Sequence, residues 1–384
     1  MARGISEFET IKLKRKQRQV SKKIFLLSTL ILIFMLCWHF RNNIAYVSNM
    51  VSINYNSFKN NTRYPKNILG ERPVELQKFN NNVMLICENS MNIYGGYQAA
   101  QIFSVNRNFS NGGICHNNKK IAMFDYATGN LNLYDKFKNV YNEQGKCKIY
   151  NVKIANNNSV AISSDSLHYA SCVRVLDPNN KQIFNWNCTD GYVINTAFSP
   201  DSKKIAVVSL KSSEGNIQST ISIFDLKSGK LNNRINISDL IFDIIYSTSE
   251  KIVAITRNSV YFFNQDLQRF TTYDFKNEEL LKFNYSNNII ALCFKKYSNG
   301  ASSKIVTLNF AGNVLGESEL KGVVKSLKVE GNNVGTLAED RIFVFNRDMK
   351  MKKSYKYNVP IYDFLQIGNN MFLVSANELN KVIM

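Results

Sequence analysis

Histidine, tryptophan and proline are scarce, at 3, 2 and 5 residues in a chain of 384. With His39, His116 and His168 the only imidazoles, there is no H-x-x-x-H or H-E-x-x-H spacing, and a metal-dependent hydrolase has no ligand set. His116 falls in the Asn- and Gly-rich stretch 111–118 and reads as a solvated loop residue; His168, beside Tyr169, reads as structural. No G-x-S-x-G elbow or glycine-rich phosphate loop occurs, so Tyr94-Gly95-Gly96-Tyr97 is a turn or bulge. The seven cysteines show no metal-ligand spacing either. Cys37 lies in an apolar run, and Cys87 and Cys293 sit in apolar strand patterns as small core residues. Cys172 and Cys188 flank the Asp177-Pro178-Asn179-Asn180 turn, but the apparent pairing sets Cys172 opposite Trp186, which argues against a disulfide. No cofactor or metal is expected.

Acidic residues are also in short supply: 29 against 48 basic ones, a net charge of +19. Eight Lys or Arg and two Glu fall within residues 1–40, so the remainder keeps +13 and favours anionic surroundings. Residues 1–23 are polar and basic, with no periodicity that would fold them. Ile24 to Phe40 is then an apolar run of 17 residues, at about 1.5 Å per residue enough to cross a thin bilayer as a helix. The run is longer than a signal-peptide core and no small-residue cleavage site follows, so a retained anchor is expected. Basic residues crowd its N-terminal side, which puts the N-terminus in the cytoplasm and all that follows outside, a single-pass type II topology. Nucleic acid is not an expected partner there.

Residues 41–73 are Asn-rich and read as an extracytoplasmic linker, and 74–384 is organised by repetition. The clearest unit is Val193 to Lys230. Val193, Asn195, Ala197 and Ser199 alternate with Ile194, Thr196 and Phe198 as in a two-faced strand, and Ser199-Pro200-Asp201-Ser202 ends it. Lys204 to Leu210 is almost continuously apolar, as a strand covered on both faces would be. Thr220 to Leu226 alternates again, and Lys227 to Lys230 makes a hairpin turn. The apolar strand recurs as VMLIC, IAMF, VAIS, IAVV, IVAIT, IIALCF, VGTLA and MFLVSA, from Val83 to Ala376. Small residues inside it, such as Ala122, Ala161, Ala206, Ala254 and Ala291, suit a crowded axis. The following strand ends on an acid or amide at Asp135, Asp177, Asp225, Asn264, Asn309 and Asn346, spaced by 37 to 48 residues. That is the spacing of four-stranded propeller blades.

The segments FSPDSKKIA (198–206) and ISIFDLKSGK (221–230) resemble WD-repeat and TolB-type propeller blades, with Ser202 in place of the usual Gly and Phe224-Asp225 where WD repeats carry Trp-Asp. The reading is an all-β propeller of about eight four-stranded blades, alternatively seven, preceded by one transmembrane helix. The eighth copy would reach its third strand at the end of the sequence, so a strand from 61–70 (eight blades) or 74–79 (seven) is expected to complete it. Eight is favoured. With its basic start, single span and outer array of weak blades, the arrangement resembles a membrane-anchored domain-of-unknown-function family (5711) of low-GC Gram-positive bacteria. Asn111 to Ile114 and Ala122 to Tyr126 look like that family's second blade. The resemblance implies topology and carries no activity.

The functional expectation is a non-enzymatic binding or scaffold module for an unidentified protein, peptide or anionic envelope polymer. The alternative is a propeller enzyme acting on envelope sugar or peptide in the central channel, with Asp165, Asp190, Asp243 and Asp363 as available acids. Two tryptophans are too few for the docking motifs of quinone-dependent propeller dehydrogenases.

Overall fold

The computed structural model describes residues 28–29 and 63–384, except 110, 214, 248–249 and 297–301. The basic tail and the apolar run Ile24 to Phe40 thus lie outside the described residues, save Ser28 and Thr29, which are helical. From residue 63 onward the chain forms eight four-stranded antiparallel sheets. Seven are built from consecutive strands, beginning with Pro73–Phe79, Asn82–Cys87, Ser90–Tyr94 and Gln101–Asn106 in blade 1. Blade 8 takes Asp363–Ile367, Asn370–Val374 and Glu378–Ile383, and its outer strand is Lys66–Asn67. Lys66 pairs with Leu379 and Asn67 with Glu378, so the ring closes through the 61–70 segment and has eight blades.

All eight continuously apolar segments are second strands, and each is buried on both faces. In blade 1, Val83, Leu85 and Cys87 pack with blade 8, whereas Met84 and Ile86 pack with blade 2. Eight apolar clusters result, one at each seam between neighbouring blades. Burying one such side chain is worth about 1.5–3 kcal/mol. The small residues of these strands answer to the seam and not to the axis, because the second strand lies outside the inner one. At Gly335 a Cβ would come within 2.5 Å of the Phe364 ring from blade 8.

The acid or amide that ends a third strand is a turn device. The Oδ1 of Asp177 accepts from the amides of Asn179 and Lys181 at 2.9 and 2.8 Å, and that of Asn309 from Ala311 and Asn313 at 2.9 and 3.0 Å. Asp225, Asn264 and Asn346 do the same. Asp135 departs from the pattern: it precedes a two-residue turn in which Lys136 and Phe137 both have positive φ. The lower face carries a second repeated device. Turns after successive inner strands are joined by asparagines: Asn80 to the Asn118 carbonyl (2.8 Å), Asn117 to the Ala155 carbonyl (2.9 Å), and Asn156 to the Pro200 carbonyl (3.1 Å).

Three expectations are corrected. The regular alternation from Val193 to Ser199 is broken by a β-bulge between Val193 and Asn195, so Asn195 and Thr196 are both buried. Cys172 faces Asn187, and Val173 faces Trp186, because a bulge between Val175 and Leu176 shifts the hairpin by one residue; both cysteines are free thiols. His116 ends the inner strand Gly112–His116 with its ring 5.6 Å from Phe79, out of any solvated loop.

The clasp is anchored by Tyr64, which meets Phe372 edge-on at 5.4 Å and donates its hydroxyl to the Gly95 carbonyl at 2.8 Å. Tyr64→Ala is expected to lower unfolding free energy by about 3 kcal/mol in chemical denaturation. Leu69→Ala, at a side chain 67% exposed a few residues on, is expected to change it by less than about 0.5 kcal/mol.

Candidate functional site

The inner strands line the axis, packing against the inner strand of the next blade at six of the eight seams and leaving an edge towards the channel. Six of them bulge at the same place, near the upper face: between Pro73 and Glu75, Ile149 and Asn151, Val193 and Asn195, Ile241 and Asp243, Leu280 and Lys282, and Val324 and Ser326. An extra residue re-aims the side chain that follows it. Here that side chain is polar in every case. Asp363, at the start of the inner strand of blade 8, occupies the matching place.

Two carboxylates knit this ring together. Asp363, its side chain only 5% exposed, accepts from Ser326 Oγ at 2.6 Å and the Leu76 amide at 2.8 Å, and pairs with Lys328 Nζ at 3.2 Å. Lys328 Nζ also reaches Glu75 at 3.0 Å and the Leu76 carbonyl at 3.1 Å, so blades 7, 8 and 1 are joined. Burial works against the Lys328 charge, but Asp363 and Glu75 outweigh it and hold its pKa above the ordinary lysine value. Asp243 serves the other side. It accepts from Asn195 Nδ2 at 2.8 Å, the Ile244 amide at 3.0 Å and the Tyr285 hydroxyl at 3.2 Å, with Lys153 Nζ at 3.5 Å. Apart from Ile244 of its own blade 5, those contacts come from blades 4, 6 and 3. Burial, then the Asp243 charge, raises the Tyr285 pKa well above its usual value, so the phenol stays a donor.

Of the four acids available for catalysis, the structure thus brings Asp243 and Asp363 to the channel and occupies both with structural partners. Asp165 and Asp190 stand on the upper face, Asp165 taking the Tyr150 hydroxyl and Asp190 pairing with Lys211 at 3.2 Å. Among the described residues no three His, Cys, Asp or Glu side chains gather as a metal would need. His168 is exposed in the upper loop of blade 3, and burial lowers the pKa of His116.

Two cavities open along the channel among the described residues. A cavity of about 420 Å³ opens at the upper mouth between blades 6, 7, 8 and 1, lined by Lys282, Lys325, Lys328 and Tyr362 among others. A second, about 260 Å³, lies at the lower end between Lys153, Phe198, Tyr246 and Tyr285. Away from the axis, the hairpin of Lys204–Ser213 and Asn216–Asp225 rises above its neighbours. Its inner partner strand ends where Tyr192 faces Leu210, and its outer one where Ile237 faces Ser219, so the tip pairs only with itself. Beside it lies a groove of about 330 Å³ lined by Ala170, Gly191, Tyr192, Leu210 and Ile217. Tyr192 and Ile217 are 53% and 45% exposed, and Leu167 and Tyr169 in the upper loop of blade 3 are exposed as well. The ring of polar side chains was open to sequence reasoning: aligned by their second strands, the units carry a polar residue after an apolar pair at Asn151, Asn195, Asp243 and Lys282. Nothing local marks Lys328, whose partner Glu75 lies 253 positions away.

The chain belongs to a family of unknown function, DUF5711, whose model matches residues 52–384. No curated protein matches it. Its fold is similar to that of Saccharomyces cerevisiae Sqt1, with 10% identity and a TM-score of 0.59 over 83% of this chain and 98% of that one. The C-terminal WD40 domain of Sif2 gives 11% and 0.59 over 84% and 99%. BamB from Moraxella catarrhalis gives 12% and 0.51 over 80% and 92%. At these identities the likeness is one of fold.

Lys328→Met is expected to cost about 3–5 kcal/mol, because it strands the buried Asp363 carboxylate, and Asp363→Asn in the same chain is expected to restore part of it. Since the folded pKa of Lys328 is raised, its contribution is fully present below the pKa of an unfolded lysine, about 10.4, and is lost as pH rises through the folded value. Urea melts of the parent and the two variants at pH 7 and in alkali check both points. Burial pushes the thiols of Cys87 and Cys293 up to about 12 and about 11. Iodoacetamide at pH 8 is therefore expected to leave both unmodified in the folded protein and alkylate them in urea, as mass spectrometry would report.

Proposed function

We propose that the protein is a membrane-anchored, extracytoplasmic β-propeller that works as a binding or scaffold module for a protein, peptide or envelope polymer. The observation that carries this is the apolar groove beside the raised hairpin of blade 4, with Tyr192 and Ile217 exposed at its edge. Exposed apolar surface gathered in a groove is a binding feature, and a strand edge with unpaired backbone is a template for an extended partner. Of the acids an enzyme would need, Asp243 and Asp363 are meanwhile engaged in holding blades together, and Asp165 and Asp190 are taken up by Tyr150 and Lys211. A non-enzymatic role follows.

The anchor in this reading is Ile24 to Phe40, with the basic residues 1–23 inside and the propeller outside. The +13 charge after residue 40 draws the outer part towards anionic wall polymer or lipid, in a salt-dependent way.

Two measurements test it. A photo-crosslinking residue at Ile217 in intact cells is expected to capture a defined partner, and Tyr192→Asp to abolish the capture. The same probe at Met351, exposed on the outer strand of blade 7, is the control, and equal capture at both positions would sink the groove as the binding face. An epitope tag after Met384 is expected to be labelled by antibody on unpermeabilised protoplasts, and one before Met1 only after permeabilisation; the reverse pattern would overturn the topology.

A further inference from the structure

We propose that the upper mouth of the channel binds a phosphate group. The inference rests on the binding-module reading and narrows it to one ligand chemistry at a second site, away from the blade 4 groove.

Lys282, Lys325 and Lys328 line the 420 Å³ cavity, and the acids that line it are Glu75 and Asp363. Lys328 contacts both acids, at 3.0 and 3.2 Å, and so belongs to the frame. The other two lysines are not neutralised in this way. Lys325 Nζ donates to the Glu339 carbonyl at 3.3 Å and keeps its remaining N–H groups for another acceptor. Lys282 makes no ion pair or side-chain hydrogen bond among the described residues, although it is half-buried on an inner strand.

Position makes Lys282 more than a surface lysine. Of the side chains aimed by the inner-strand bulges, Glu75, Asn195, Asp243 and Ser326 each bond to another blade. Lys282, following the bulge of blade 6, and Asn151, following that of blade 3, bond to no other blade among the described residues, and of the two only Lys282 carries a charge. An ammonium on a half-buried residue that has no ion pair among the described residues leaves its charge for an anion to complete. The phenol of Tyr362, 48% exposed at the same mouth, offers a further donor. A phosphate has several acceptor oxygens and at least one charge, enough to bridge two lysines acting as point charges. The volume lies within the range of small-ligand sites.

The full-length protein in detergent would be titrated with inorganic pyrophosphate by calorimetry at low salt. Binding is expected, with Lys282→Met and Lys325→Met each weakening it by roughly tenfold, as loss of a charge-assisted contact should. The double variant Lys352→Met, Lys353→Met, on the exposed outer strand of blade 7, is expected to bind as the parent does. Thermal melts show that each variant is folded. Absence of pyrophosphate binding, or equal weakening by the blade 7 variant, would overturn the proposal, the latter because diffuse charge would then explain it. Poly(glycerol phosphate) and phosphatidylglycerol vesicles are the further arms. Dependence on Lys282 with one of them identifies a polymer or a lipid headgroup as the source, and dependence with pyrophosphate alone identifies a free phosphate. Capture of a partner at Ile217 without pyrophosphate binding would leave the module reading intact and remove only this site.

Discussion

A strand that is apolar on both faces is stable only when other sheets cover both, and each of the eight second strands has that character. A single blade would expose two apolar faces, and an open row of blades would still expose one at each end. Closure is therefore a condition of stability and not an ornament of the fold. The clasp made by Lys66–Asn67 follows from it, since a last blade left one strand short would present a bare edge as well.

The same constraint shapes the centre. Seams absorb the apolar side chains, so what remains at the axis is the polar rim of eight inner strands, and the bulges turn one polar side chain from most of them inward. Buried carboxylates there must be paired, and Asp363 and Asp243 are paired with groups from blades on either side. Charge in the channel is thus first a matter of joining blades. Lys282 and Lys325 of the upper mouth stand out because Lys328 already meets that need without them.

Much of the fold can be read in the sequence because its signals are local and repeated. The eight apolar runs, the turn-ending Asp177, Asp225 and Asn309, and the use of 61–70 for closure each depend on a few neighbouring residues. What escapes is what local pattern cannot carry. A single inserted residue before Asn195 leaves the alternation intact on paper while moving a polar side chain into the core. The asparagines that stitch the lower face, such as Asn80, Asn117 and Asn156, are submerged in an Asn-rich composition. Lys328 and Glu75 meet only because the ring closes, and the groove beside Tyr192 depends on two strands outlasting their partners.

The clasp strand also decides where the ring feels mechanical load. Lys66–Asn67 runs in the same sense as the outer strands of the other blades, so the chain enters blade 8 from the lower face. Any tension carried along the chain from residues before 63 arrives first at Tyr64 and at a ladder two residues long. That ladder is pulled lengthwise, in shear, which loads its pairs together and not one after another. The join that completes the ring is therefore also the first part of it to bear such a load.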